Sequence, residues 1–195
     1  MLIQKDAPSF AVTACLPDNT FETISIDQFR GKYVVLYFYP AAFTFVCASE
    51  TIDFHNKLHE FTSRNCVVLG CSTDTEHTLR AWKVTAKSDG GLGTPINHPL
   101  IGDIKKEIAR AYDVLLEDAG LAVRGVFIID PQGKVRCEMK NDLPIGRNVD
   151  EVLRTLDAVK FTDEHGVVCP SGWKPGKPAM TPSVQGVTEY LTKYT

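Results

Sequence analysis

Six cysteines carry the most reactive side chains of this 195-residue chain: Cys15, Cys47, Cys66, Cys71, Cys137 and Cys169. A thiol becomes a nucleophile when it ionises, which a helix N-terminus or a neighbouring cation favours; a buried thiol without either is inert. Cys66, Cys71 and Cys137 lie in strand-like patterns and read as small core residues. Cys15 has no surroundings that point to a role. Cys47 differs, because it follows the apolar run Tyr33–Tyr39 and opens a helical pattern. Unpaired amides and the positive end of the helix dipole favour an anion there. Thr44 precedes it by one helical turn, a spacing that brings hydroxyl and sulfur together. The chemistry this predicts is nucleophilic attack by a thiolate.

With Pro40 the stretch reads Pro40-x-x-x-Thr44-x-x-Cys47, and at this point the chain resembles the peroxiredoxins, whose active-site signature has that form. Further segments resemble the typical two-cysteine branch of the family. Val168-Cys169-Pro170 is similar to the segment with the resolving cysteine, and Arg124–Asp130 to the segment with the active-site arginine. Asp142–Arg147 resembles the stretch before the late helix, and Glu50 and Trp82 stand where the family has them. One departure is Ala48, where the branch usually has proline.

The resemblance implies a thiol-dependent peroxidase for hydrogen peroxide and organic hydroperoxides, without cofactor or metal. Cys47 would attack one peroxide oxygen and become a sulfenic acid. Cys169 would resolve it as an intersubunit Cys47–Cys169 disulfide, and a thioredoxin-type reductant would reopen it. By the same resemblance Arg124 and the amides after Thr44 supply positive potential, the Thr44 hydroxyl bonds the peroxide, and Pro40 shields the sulfenate from water. It also implies a homodimer, with a ring of five dimers as the larger assembly. Gly90-Gly91-Leu92-Gly93 matches eukaryotic members that are easily overoxidised. Their C-terminal Tyr-Phe pair reads Tyr190-Leu191 here, which implies an intermediate sensitivity.

The elements that must position these residues alternate in type. Tyr33–Tyr39 and Cys66–Cys71 are continuous apolar runs, the pattern of strands buried on both faces. A helix is expected over about 48–63 between them. Thr73-Asp74-Thr75-Glu76 has the capping-box form and opens a helix with Leu79 and Trp82. A short strand at Pro99–Ile101, a helix over Ile104–Tyr112 and strands at Val126–Asp130 and Val135–Met139 follow. Asn148 caps a helix whose Val149, Val152, Leu153, Leu156 and Val159 form an apolar stripe. The pattern predicts an α/β sandwich, and the resemblance a thioredoxin-like fold with a central β-sheet flanked by helices. The domain reading is 1–160 as a peroxidase body and 161–195 as an arm. Cys169–Pro178, with three prolines and two glycines, cannot be regular, and a terminal helix is expected over Val187–Tyr194.

Composition excludes several functions. The net charge of −3 argues against nucleic-acid binding, which needs a basic face. No apolar run is long enough for a membrane span, and Met1–Asp6 lacks a signal-peptide pattern, so a cytoplasmic protein is expected. Gly90–Gly93 lacks the residues of a phosphate loop and reads as a flexible loop. His55 and His59 lack the glutamate of a metalloprotease pair, so solvated or core histidines fit better than zinc ligands. No Cys-x-x-Cys pair is present for dithiol reductase chemistry. Two rival functions stay open: a cysteine hydrolase with a histidine such as His98 as base to Cys47, and a holdase chaperone.

Overall fold

The computed structural model describes residues 1–194. In chain order the strands are β1 (Ala11–Cys15), β2 (Phe21–Ser25), β3 (Tyr33–Phe38), β4 (Cys66–Ser72), β5 (Leu100–Gly102), β6 (Leu115–Leu116), β7 (Leu121–Ala122), β8 (Arg124–Ile129) and β9 (Val135–Asn141). The helices are α1 (Phe45–Asn56), α2 (Leu58–Ser63), α3 (Glu76–Val84), α4 (Glu107–Ala111), α5 (Val149–His165) and α6 (Val184–Tyr194). Seven strands form one sheet in the order β2-β1-β5-β4-β3-β8-β9, and β6 and β7 form a small hairpin. This is an α/β fold with a central sheet and flanking helices, as the sequence pattern and the resemblance imply.

The centre of the sheet follows from composition. All six residues of β3 are buried, as are all six of β8. Residues buried on both faces must be apolar on both, so the strands read as unbroken hydrophobic runs. β3 pairs in parallel with β4, Tyr33 opposite Cys66 through Phe38 opposite Cys71. On its other side β3 pairs antiparallel with β8. The chain leaves β3 at Phe38 and enters α1 at Phe45, so the loop between them sits at the end of the best-buried strand. Pro40 is buried in that loop.

Several boundaries differ from the sequence pattern. The β1–β2 hairpin is not signalled, because its short strands are only partly buried and carry polar residues on one side. The helix expected over about 48–63 begins earlier, at Phe45, and is interrupted at Lys57. Thr73 does not cap α3; Thr75 does, its side chain accepting from the Thr78 amide at 3.2 Å. The Gly90–Gly93 loop is not loose. Leu92 is buried, its amide donates to Trp82 O at 2.9 Å, and Trp82 Nε1 donates to Gly90 O at 3.2 Å. A Cβ on Gly91 would collide with the Thr85 carbonyl, so that position needs glycine.

The chain divides into two compact units, 1–149 and 150–195. The second holds α5, an irregular stretch and α6. Within it Trp173 is buried, its ring 4.8 Å from that of Phe161, and its indole donates to Lys177 O at 3.0 Å. Arg154 NH1 donates to Trp173 O at 2.9 Å. Among the described residues no helix is long and apolar enough to cross a membrane.

Candidate active site

Cys47 lies in the first turn of α1 and is fully buried. Thr44 occupies the N-cap position in an extended conformation, yet its hydroxyl does not cap the helix. Thr44 Oγ1 lies 2.7 Å from Ala41 O and 3.0 Å from Cys47 Sγ, so its one hydrogen can serve either. The diverted hydroxyl leaves the first-turn amides without a side-chain acceptor, at the end of the helix where an anion is favoured.

Arg124, the first residue of β8, brings a cation to the sulfur. Its NH1 lies 3.4 Å from Cys47 Sγ and 2.7 Å from Glu50 Oε2, and its Nε donates to Leu143 O at 2.7 Å. Glu50 lies one turn after Cys47 on α1 and is buried beside it. A second arginine meets the same carboxylate. Arg147 Nε and NH2 donate to the two Glu50 oxygens, each at 2.8 Å, and its backbone amide adds a third bond at 2.8 Å. Its NH1 donates to Phe38 O at 2.6 Å and Gly125 O at 2.7 Å. The side chains of Arg124, Glu50 and Arg147 are 4%, 2% and 3% exposed.

The charges of this cluster do not cancel, since two guanidinium groups face one carboxylate. Buried charge is costly unless paired. A thiolate on Cys47, 3.4 Å from Arg124, would supply the missing negative charge. In a water-poor site that attraction exceeds its value in bulk solvent. The fixed donors can follow charge as it moves from sulfur to an oxygen leaving group.

The loop over the thiol is held from the other side. Asp74 Oδ2 accepts from the Ala42 amide and from Ser72 Oγ, both at 2.7 Å. Phe43 adopts φ +56°, a left-handed conformation that L side chains rarely take. Beneath the cluster Arg147 stands 5.3 Å over the Tyr37 ring. Tyr37 Oη is 2.9 Å from His98 Nε2, and burial pushes the His98 imidazole down to about 3.

The five site residues read from the sequence now have a setting. The structure brings Thr44, Cys47 and Arg124 together and seats Pro40 at the foot of their loop. Cys169 lies in the second unit, half-buried in the irregular stretch after α5, with Sγ 3.8 Å from Ala158 O. Burial pushes its thiol up and the Arg154 charge opposes that. Cys66 and Cys71 are buried on β4, as expected, while Cys137 on β9 is only half-buried. Cys15 ends β1, where burial pushes its thiol up. The hydrolase reading needs a histidine at Cys47, and the described partners of Cys47 are Thr44 and Arg124, while His98 Nε2 faces Tyr37.

Comparison with known proteins decides the family. The AhpC/TSA family profile matches residues 3–137. The chain belongs to that family. The profile for the C-terminal domain of 1-Cys peroxiredoxin matches residues 158–193. Peroxiredoxin-1 of Gallus gallus is 50% identical over 191 residues, covering 98% of this chain and 96% of that one. The reduced 2-Cys peroxiredoxin of Plasmodium vivax superposes with a TM-score of 0.96 at 44% identity, covering 98% and 99% of the two chains. Thioredoxin peroxidase I of Plasmodium yoelii gives a TM-score of 0.79 at 48% identity, covering 89% and 99%. This peroxiredoxin is a thiol-dependent peroxidase with a thioredoxin-like fold.

Two members of the cluster carried no assigned role in the sequence. Glu50 was legible only as a residue the family shares, and Arg147 only as the end of a matching segment.

Proposed function

We propose that Cys47 is the peroxidatic nucleophile and Cys169 the resolving thiol. The observation that carries the first assignment is the Arg124 guanidinium at Cys47 Sγ, fixed by the buried Glu50–Arg147 pair. The thiolate attacks one oxygen of hydrogen peroxide or an organic hydroperoxide. The S–O bond forms as the O–O bond breaks, and the departing hydroxide or alkoxide takes a proton. Thr44 holds the peroxide through its hydroxyl, Arg124 follows the charge, and Pro40 keeps water from the sulfenate.

Cys169 of a second subunit then attacks the sulfenic sulfur, releasing hydroxide that leaves as water, and the disulfide forms. Two electrons from a thioredoxin-type dithiol reopen it. The similarity to a thioredoxin peroxidase supports that reductant. In this reading 1–160 is the peroxidase body and 161–195 the arm that brings the resolving thiol. The working unit is a homodimer, assembling into a ring of five dimers in the cytoplasm.

Non-reducing electrophoresis with and without peroxide tests both thiols. Oxidised wild type runs as a covalent dimer, and Cys47→Ser and Cys169→Ser each run as monomers. Cys47→Ser consumes no peroxide, while Cys66→Ser and Cys71→Ser keep most of the activity. Turnover retained in Cys47→Ser, or an intrachain bridge in wild type, defeats the assignment.

A further inference from the structure

The peroxidase cycle moves electrons in pairs and leaves one buried group unused, the aromatic rings beneath Arg147. Tyr37, Tyr39 and Trp82 are each fully buried. Ring centroids are 5.8 Å apart between Tyr37 and Tyr39 and 5.7 Å between Tyr39 and Trp82. Phe43, half-exposed on the active-site loop, lies 6.4 Å from Trp82 and forms the outer end of the row. We propose that Trp82, Tyr39 and Tyr37 form a one-electron relay ending on Tyr37, whose proton passes to His98 as the ring is oxidised.

The polar contacts of the three rings differ, and that difference sets the terminus. An oxidised phenol or indole is a strong acid, and a charged ring in a dry interior is costly unless its proton can leave. Tyr39 Oη makes no hydrogen bond of ordinary geometry among the described residues, and the neighbouring Ser72 hydroxyl, which itself donates to Asp74, is a very weak base. Trp82 Nε1 donates to the Gly90 carbonyl, a very weak base. Tyr37 Oη lies 2.9 Å from His98 Nε2, against 3.4 Å from Thr51 Oγ1, so it has a base at hand. The Arg147 cation 5.3 Å over the Tyr37 ring penalises a positive ring further, which favours release of the proton. His98 is buried, and burial keeps its imidazole neutral at physiological pH; in the tautomer protonated at Nδ1, Nε2 presents its lone pair to the Tyr37 hydroxyl. His98 Nδ1 has no partner among the described residues.

The step balances with a one-electron oxidant such as the carbonate radical anion. The oxidant takes one electron from Trp82 and becomes carbonate. An electron passes from Tyr39 to Trp82 and one from Tyr37 to Tyr39, restoring both. The Tyr37 O–H bond breaks as the proton binds His98 Nε2. The end state is a neutral phenoxyl at Tyr37 and an imidazolium at His98. One electron from ascorbate, with return of the proton, resets the pair. The relay gives one-electron oxidants a sink other than the active-site thiolate, and it stands whether or not Cys169 is the resolving thiol.

Carbonate radicals generated by pulse radiolysis on the reduced protein test the relay, with time-resolved absorption and freeze-quench electron paramagnetic resonance. In wild type the tryptophanyl signal decays as a phenoxyl signal grows at the same rate, and both slow in deuterium oxide. Tyr37→Phe abolishes that growth, and so does His98→Leu. A wild-type phenoxyl yield in Tyr37→Phe, or growth without a solvent isotope effect, overturns the proposal. Should a substitution unfold the chain, quenching in wild type decides. A phenoxyl reduced by ascorbate as fast as that of free tyrosine overturns it, and a protected one supports it.

Discussion

The surroundings of Cys47 and Cys169 differ in almost every physical respect. Cys47 is fully buried at a helix start, and the chain segments that reach it come from α1, β8 and the loop before α5. Every charged group around it is fixed by two or more hydrogen bonds. Cys169 lies half-buried in a stretch without regular structure, and its Sγ has a backbone carbonyl as partner at 3.8 Å. One cysteine is held by a rigid electrostatic frame and the other is not. Peroxide attack needs a preorganised anion site, whereas resolution needs a thiol that can travel. On the proposed assignment the two steps of the cycle ask for opposite mechanical properties, and the surroundings of the two cysteines differ in that sense.

The largest break in this contrast comes from Glu50, which holds both arginines. Glu50→Ala leaves two buried guanidinium groups without a counter-ion, and removal of one partner from such a cluster costs about 3–5 kcal/mol. Denaturant unfolding should show a loss of that size, together with a fall in peroxide consumption. Glu50→Gln keeps the shape and some bonds, so it should lose less stability than the alanine variant while still weakening the hold on Arg124. Equal stability of Glu50→Ala and wild type would show that the frame is not under electrostatic load.

Thr44 comes next. Thr44→Val removes the hydroxyl 3.0 Å from the sulfur and keeps the shape. Loss of one well-placed donor in an oxyanion-type site lowers rates by about 10²–10³. Stopped-flow peroxide reduction should show that fall, and Thr44→Ser should restore most of the rate. A Thr44→Val rate near wild type would move the task of binding peroxide to the helix amides alone.

What the sequence disclosed follows the range over which its signals act. β3 and β4 were legible because burial on both faces leaves a continuous apolar run, a local pattern. Cys47 and Thr44 were legible because one helical turn joins them, also a local relation. The β1–β2 hairpin left little trace, since a short, partly exposed edge pair needs few hydrophobic residues. The Glu50 cluster left none that residue types alone could show. Arg124 and Arg147 meet Glu50 across 74 and 97 residues, and no spacing rule spans such separations. Tyr37 and His98 pose the same problem at a separation of 61 residues.

His98 gives a smaller effect that depends on pH. Burial holds its folded-state value at about 3, while an exposed histidine in the unfolded chain titrates at about 6.5. Between those values the unfolded chain binds more protons, so the folded state loses stability as the pH falls. The contribution is complete above about pH 6.5 and declines toward pH 3, at up to about 1.4 kcal/mol per pH unit. His98→Leu should flatten this acid limb in denaturant midpoints measured across that range. An unchanged limb would assign the acid sensitivity to the carboxylates.

The smallest effect sharpens the contrast at its weaker end. Burial pushes the Cys169 thiol above its ordinary value, and the Arg154 charge opposes the shift without cancelling it. The thiolate is the attacking form, so at neutral pH only a small fraction of Cys169 is competent. Disulfide formation after a single peroxide addition should therefore accelerate as the pH rises, by roughly tenfold per unit until the raised value is passed. Arg154→Gln removes the charge that favours the thiolate and should slow resolution at every pH below that point. Stopped-flow intrinsic fluorescence separates sulfenic acid formation from disulfide formation in one trace. A resolution rate flat in pH would mean that movement of the arm, and not ionisation of Cys169, sets the pace, and Arg154→Gln would then leave the rate unchanged.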